Sequence, residues 1–125
     1  MPYDLKQWPQ SVYPGATAEF PDAMPVIDVA LQALRTEGPR PQGYEFKPLG
    51  KKKGGLWQIN LRVKRQQIRI LYAPYGQTII VFHIHKKSSP QEQQRAYDKA
   101  MSRKRQAEQI MKDAGNTHVG LPTVH

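Results

Sequence analysis

The chain has 125 residues, of which 38% are apolar, and 19 Lys and Arg against 10 Asp and Glu give a net charge of +9. That length suits one domain with one core, so a multidomain enzyme and a wholly disordered chain are both excluded. No cysteine is present, which excludes disulfide scaffolds, thiolate zinc sites and cysteine nucleophiles. No apolar run approaches the roughly 18 residues that span a bilayer. The expectation is a cytoplasmic protein without a membrane partner.

The charge is uneven. Up to Gly50 there are four basic and six acidic residues, and from Lys51 onward fifteen and four. A second half at +11 favours a polyanion or an acidic protein as partner.

Residues 1–22 carry Pro2, Pro9, Pro14 and Pro21 and read as a Pro-rich segment in which Tyr3–Trp8 can form an edge strand. A helix follows. Asp22 or Met24 can cap it, Pro25 fits its first turn, and Ile27, Ala30, Leu31 and Leu34 share one face. Gly38-Pro39 stops it.

Three or four strands come next. Tyr44–Leu49 alternates, and Lys51, Lys52 and Lys53 sit on a basic turn. Trp57, Ile59, Leu61 and Val63 share one face, with Gln58, Asn60, Arg62 and Lys64 on the other. Arg65-Gln66 reads as the tight connection. Gln67–Tyr75 puts Ile68, Ile70 and Tyr72 inward and turns Arg69 outward, and Thr78–His85 is rich in β-branched residues. Short turns imply antiparallel neighbours.

Ser89-Pro90 with Glu92 reads as a capping box opening a helix to about Asp113, with Ala96, Tyr97, Ala100, Met101, Ala107, Ile110 and Met111 along one stripe. Residues 114–125 read as a loose tail. The fold class is therefore α+β: a compact antiparallel sheet with an N-terminal and a C-terminal helix, forming a domain over residues 23–113.

With helices on one face, the other face would be open. If Ile80, Phe82 and Ile84 point inward, that open face gathers Arg62, Arg69, His83 and His85, with Lys86 and Lys87 at the strand end. Such a set suits RNA cleavage without a metal or other cofactor. Histidine carries protons near neutral pH, a crowded lysine can do so, and arginine holds phosphate bidentately. Other readings stand beside this one. His83 and His85 could be zinc ligands, although no neighbouring carboxylate or cysteine completes a site. The three lysines could be a solvated turn touching phosphates. Arg95, Arg103, Lys104 and Arg105 fit the wet face of the last helix, and Tyr97 fits a core position.

The ordered set Gly55-Leu56-Trp57, Arg69-Ile70-Leu71-Tyr72 and His85-Lys86-Lys87-Ser88-Ser89-Pro90 resembles the RelE/HigB toxin superfamily, and most of all its phage-derived HigB-like branch, over about Val26 to Lys112. The resemblance implies a RelE-like fold and the toxin of a type II toxin–antitoxin pair. Such a toxin cuts mRNA in the ribosomal A site without a metal and is neutralised by a cognate antitoxin, often of the helix-turn-helix type. It also implies that Arg69 is the functional arginine, that Lys86 and Lys87 are the basic pair closing the last strand, and that the lysines before Gly54 form the approach to RNA. Family members often carry arginine where this chain has Asn60; Arg62, on the same face, would take its place. The catalytic set is thus Arg69, Arg62, His85 and Lys86, with His85 or Lys86 as general acid or base. Lys51, Lys52, Lys53, Lys64 and Lys87 are the RNA-binding residues. A non-catalytic basic protein of phage origin, holding RNA or a protein on the same fold, is the alternative.

Overall fold

In a computed structural model that describes residues 2–124, the chain is α+β, with one five-stranded sheet between two helical layers. The strands are β1 (Asp4–Gln7), β2 (Glu45–Pro48), β3 (Trp57–Val63), β4 (Gln66–Tyr75) and β5 (Thr78–Lys86), in the order β1-β5-β4-β3-β2. The helices are α1 (Val12–Glu19), α2 (Met24–Glu37) and α3 (Pro90–Asp113).

The edge strand near the N-terminus forms, and it makes the sheet mixed. β1 runs parallel to β5, while the other three pairings are antiparallel. The expected count of three or four strands therefore becomes five. Helix α1 lies in a segment read as irregular. Pro14 sits in its first turn, where a missing N–H breaks no bond, and only Val12 and Ala16 are buried, too few to show a helical stripe in sequence.

Helix α2 buries Ile27, Ala30, Leu31 and Leu34 as the spacing requires. Its N-cap is Ala23, not Asp22 or Met24, and Pro25 occupies the first turn. Gly38 ends it at φ +90°, against the ring of Tyr3. Ser89 caps α3 by accepting a hydrogen bond from the Glu92 backbone N–H at 3.2 Å.

The sheet is covered on both faces, which corrects the expectation of an open one. Leu5, Ile59, Leu61, Ile68, Ile70, Tyr72, Ile79, Val81 and Ile84 pack with α1 and α2. Leu56, Leu71, Ala73, Ile80 and Phe82 pack on the other side with Ala100 and Ala107 of α3. The cause of the split within β5 is a β-bulge: Leu71 pairs with His83 and Tyr72 with Val81, so Phe82 is the extra residue. Ile80 and Phe82 thus face α3, and Ile84 faces the opposite core, where simple alternation had put all three together. The bulge also leaves His83 and His85 on the α3 side.

Two further differences concern loops. The β3–β4 turn is Lys64-Arg65, with Lys64 at φ 57°, so Lys64 is at a hairpin tip and not on the β3 face. The segment after α3, read as loose, returns to the sheet. Leu121 and Val124 are buried, Thr123 bridges Lys6, and the Val124 N–H bonds the Leu5 carbonyl at 3.0 Å.

Candidate active site

Register builds the site. On the α3 face, Gln58, Leu71 and His83 form one row across β3, β4 and β5, and Asn60, Arg69 and His85 form the next. Arg62, opposite Gln67, lies one row further out and diagonal to Arg69. The first two turns of α3 lie over these rows, because Tyr97 and Gln93 fall four residues apart on one helical face.

Arg69 is held through a single nitrogen. Its Nη1 donates to Gln93 Oε1 and, at 3.2 Å, to the Tyr97 hydroxyl. Tyr97 in turn donates to Gln58 Oε1 at 2.9 Å. Gln58 is 1% exposed and donates to Asn60 Oδ1 at 3.3 Å, and Asn60 donates to Glu45 Oε1 at 3.2 Å. Gln93 is fixed from behind by donating to the Ser88 carbonyl at 2.9 Å. Lys53 leans over the Tyr97 ring, its Nζ 4.8 Å from the centroid, and bonds Gln94 at 2.7 Å.

The two histidines stack, with ring centroids 5.4 Å apart and planes 7° from parallel, and His85 meets Tyr97 edge-on. Both are uncharged at neutral pH. Burial, then the neighbouring His85, Arg103 and Lys99, lowers His83 from 6.5 to about 3. Burial, with Arg69 beside it, lowers His85 to about 4 against the opposing pull of a backbone hydrogen bond to Lys86. Arg103 is not part of a wet helix face: its Nη1 donates to the Phe82 carbonyl at 2.8 Å and lies 3.3 Å from His83 Nδ1.

Two buried polar atoms have no hydrogen-bond partner among the described residues: Arg69 Nε and His85 Nε2. They belong to side chains paired directly across β4 and β5. Beside them a cleft of about 380 Å³ opens between the end of β5 and α3, walled by His83, His85, Lys86, Arg95 and Lys99, with Glu19 on its rim. A smaller cleft of about 260 Å³ adjoins it, sharing Glu19 and Lys86 and reaching Lys64.

Of the residues picked from sequence, Arg69 and His85 come together, with Lys86 on the cleft wall, Arg62 diagonal to Arg69, and Lys53 on Tyr97. Lys51 and Lys52 are exposed on the turn before Gly54, Lys64 is at the hairpin tip, and Lys87 is exposed just past β5. Gln58, Gln93, Tyr97, Arg95 and Lys99 were missed. Only knowing that α3 crosses this face finds them. Among the described residues, no group of three or more His, Asp or Glu is placed to hold a metal.

This arrangement can take up an anion and move a proton. Arg69 leaves its buried Nε–H without a partner among the described residues, and the Nε–Nη2 edge to which it belongs is the fork with which a guanidinium grips two oxygens of a phosphate. His85 offers a neutral nitrogen that accepts a proton.

Residues 19–110 match the model of the family described as Phage derived protein Gp49-like (DUF891), a span from the end of α1 through most of α3. No curated protein and no solved structure matches the chain.

Proposed function

The chain belongs to the phage-derived Gp49-like family, which is related to the RelE toxins of toxin–antitoxin systems, and we propose that it is the toxin of such a pair, a HigB-like endoribonuclease that cuts mRNA on the ribosome. The observation that carries this reading is that the cross-strand partners Arg69 and His85 each bury one unpartnered nitrogen, Nε and Nε2. One is a donor and the other, in a neutral ring, can be an acceptor. A ribose hydroxyl with its neighbouring phosphate satisfies both, because the hydroxyl donates to His85 Nε2 while a phosphate oxygen accepts from Arg69 Nε.

In RNA that hydroxyl is the ribose 2′-OH. His85 takes its proton, the 2′-oxygen attacks the adjacent phosphorus, and the bond to the 5′-oxygen breaks, leaving a 2′,3′-cyclic phosphate. Lys86, on the cleft wall, returns a proton to the 5′-oxygen. Arg69, with Arg62 diagonal to it, offsets the charge of the pentacovalent phosphorus, an effect worth about 3 kcal/mol per well-placed donor. An arriving phosphate also raises the affinity of His85 for a proton, because it offsets the Arg69 charge that lowers it. Lys51, Lys52, Lys53, Lys64 and Lys87 meet the RNA backbone. The protein partner is a cognate antitoxin of the helix-turn-helix type, and the site of action is the cytoplasm. No step here uses a cofactor.

One observation favours the second reading, a non-catalytic basic domain that holds RNA or a protein. His85 is only 7% exposed, beneath α3. Growth after induced expression separates the two. Arrest by the native chain, relieved by Arg69→Ala and not by Arg105→Ala on the exposed side of α3, supports the toxin. Unimpaired growth with all three at equal expression supports the binding domain.

A further inference from the structure

We infer that Gln58 is a positioning residue, which through the Tyr97 hydroxyl decides which edge of the Arg69 guanidinium is left for an oxyanion. The inference rests on the reading of Arg69 as the phosphate-binding group and adds how that group is aimed.

Hydrogen-bond polarity is fixed link by link along a chain from β2 to Arg69. Glu45 ends the chain with an exposed carboxylate, which only accepts. Asn60 must therefore present its NH2 to Glu45 and its Oδ1 to Gln58. Gln58 must then present its NH2 to Asn60, which leaves Oε1 as the acceptor for Tyr97. The single proton of the Tyr97 hydroxyl is thereby committed to Gln58, and its oxygen is left to accept from Arg69 Nη1.

A second short chain works from the opposite side. The Ser88 carbonyl accepts from the Gln93 NH2, so Gln93 Oε1 is turned to the same Nη1. Both hydrogens of Nη1 are now used. What remains is the Nε–Nη2 edge, with its two parallel N–H bonds, on a side chain paired with His85. An arginine free to rotate could offer other edges; this one offers that edge alone.

Gln58 is the link with no substitute. It is buried near the start of β3, where water cannot replace the acceptor it gives to Tyr97. Asn60, at the position where the resemblance leads one to expect arginine, keeps a role in this chain as the amide that sets the Gln58 orientation.

The test uses the full chain with Gln58→Met, which keeps volume and removes the amide, Tyr97→Phe, and the double variant. Two readouts are taken: the Arg69 side-chain N–H signals by NMR, and single-turnover cleavage of ribosome-bound mRNA. Restricted rotation of the Arg69 guanidinium is expected in the native chain and fast rotation in both single variants. The saturating single-turnover rate of cleavage is expected to fall about tenfold with little change in the half-saturating concentration. The double variant should lose no more than Tyr97→Phe alone, since both break one link. Unchanged Arg69 signals in Gln58→Met and in Tyr97→Phe would overturn the inference, as would losses that multiply in the double variant. A native chain that never cuts RNA sinks the proposed function and leaves the NMR result to decide this inference by itself. If Gln58→Met does not fold, Tyr97→Phe carries the same test.

Discussion

Arg69 and His85 are paired across β4 and β5, and each buries one nitrogen, Nε and Nε2, that no other described group satisfies. A buried unpaired polar atom costs about 1–3 kcal/mol, so one on each of two cross-strand partners describes a place built for a ligand that both donates and accepts. If Arg69 grips phosphate with a fork, charge alone does not replace it. Arg69→Lys should lower the cleavage rate about a hundredfold, measured in a single turnover on ribosome-bound mRNA, with thermal stability close to native. A lysine variant that cuts at the native rate removes the fork from the account.

The buried imidazoles make stability depend on pH. Unfolded, each histidine takes a proton near its ordinary 6.5; folded, His85 waits until about 4 and His83 until about 3. Between those values the unfolded chain binds more protons, so stability present above about pH 6.5 is lost as pH falls toward 4 and then 3. Arg69 faces His85, and Arg103 and Lys99 face His83, all of one sign. A Tm lower at about pH 5 than at about pH 7 is expected, with a shallower slope when both histidines are replaced by glutamine. A Tm that rises on acidification contradicts the neutral pair.

The segment after α3 is part of the fold. Leu121 is 4% exposed against the α3 side of the sheet, and Leu121→Ala should cost about 2–5 kcal/mol by the cavity it leaves, read from denaturant unfolding. A loss below about 0.5 kcal/mol, the size of a surface change, restores the picture of a loose tail.

Gly38 closes α2 at φ +90°, and a Cβ there would sit 2.6 Å from Tyr3 Cζ. Gly38→Ala is therefore doubly opposed, by backbone strain of about 1–3 kcal/mol and by the aromatic ring. Equilibrium unfolding of that variant should show at least this loss, and native-like stability would mean that Tyr3 moves freely away.

The sequence made the elements legible where periodicity is strong. Helix α2, the capped start of α3, and strands β3 to β5 follow from the spacing of Ile27 to Leu34, the Ser89–Glu92 box and the alternation from Trp57 onward. What alternation cannot express is a bulge. One extra residue at Phe82 reverses the faces of β5, and nothing in Ile80-Val81-Phe82-His83 marks it. The same limit hid the polar chain. Gln58 reads as the open face and Tyr97 as core, Gln93 carries no signal of its own, and the three meet only because α3 crosses the face that looked open. Arg69 and His85 could be found because strand parity sets each on the face opposite its neighbours Ile70 and Ile84, and the register then pairs them.

The most direct measurement is to map the ends of ribosome-bound mRNA after incubation with the native chain, with Arg69→Ala and with His85→Gln. New cuts within the ribosomal A site are expected with the native chain, with 2′,3′-cyclic phosphate at the cut ends and loss of the cuts in either variant. Intact mRNA with the native chain, or equal cutting by all three, contradicts the proposed function.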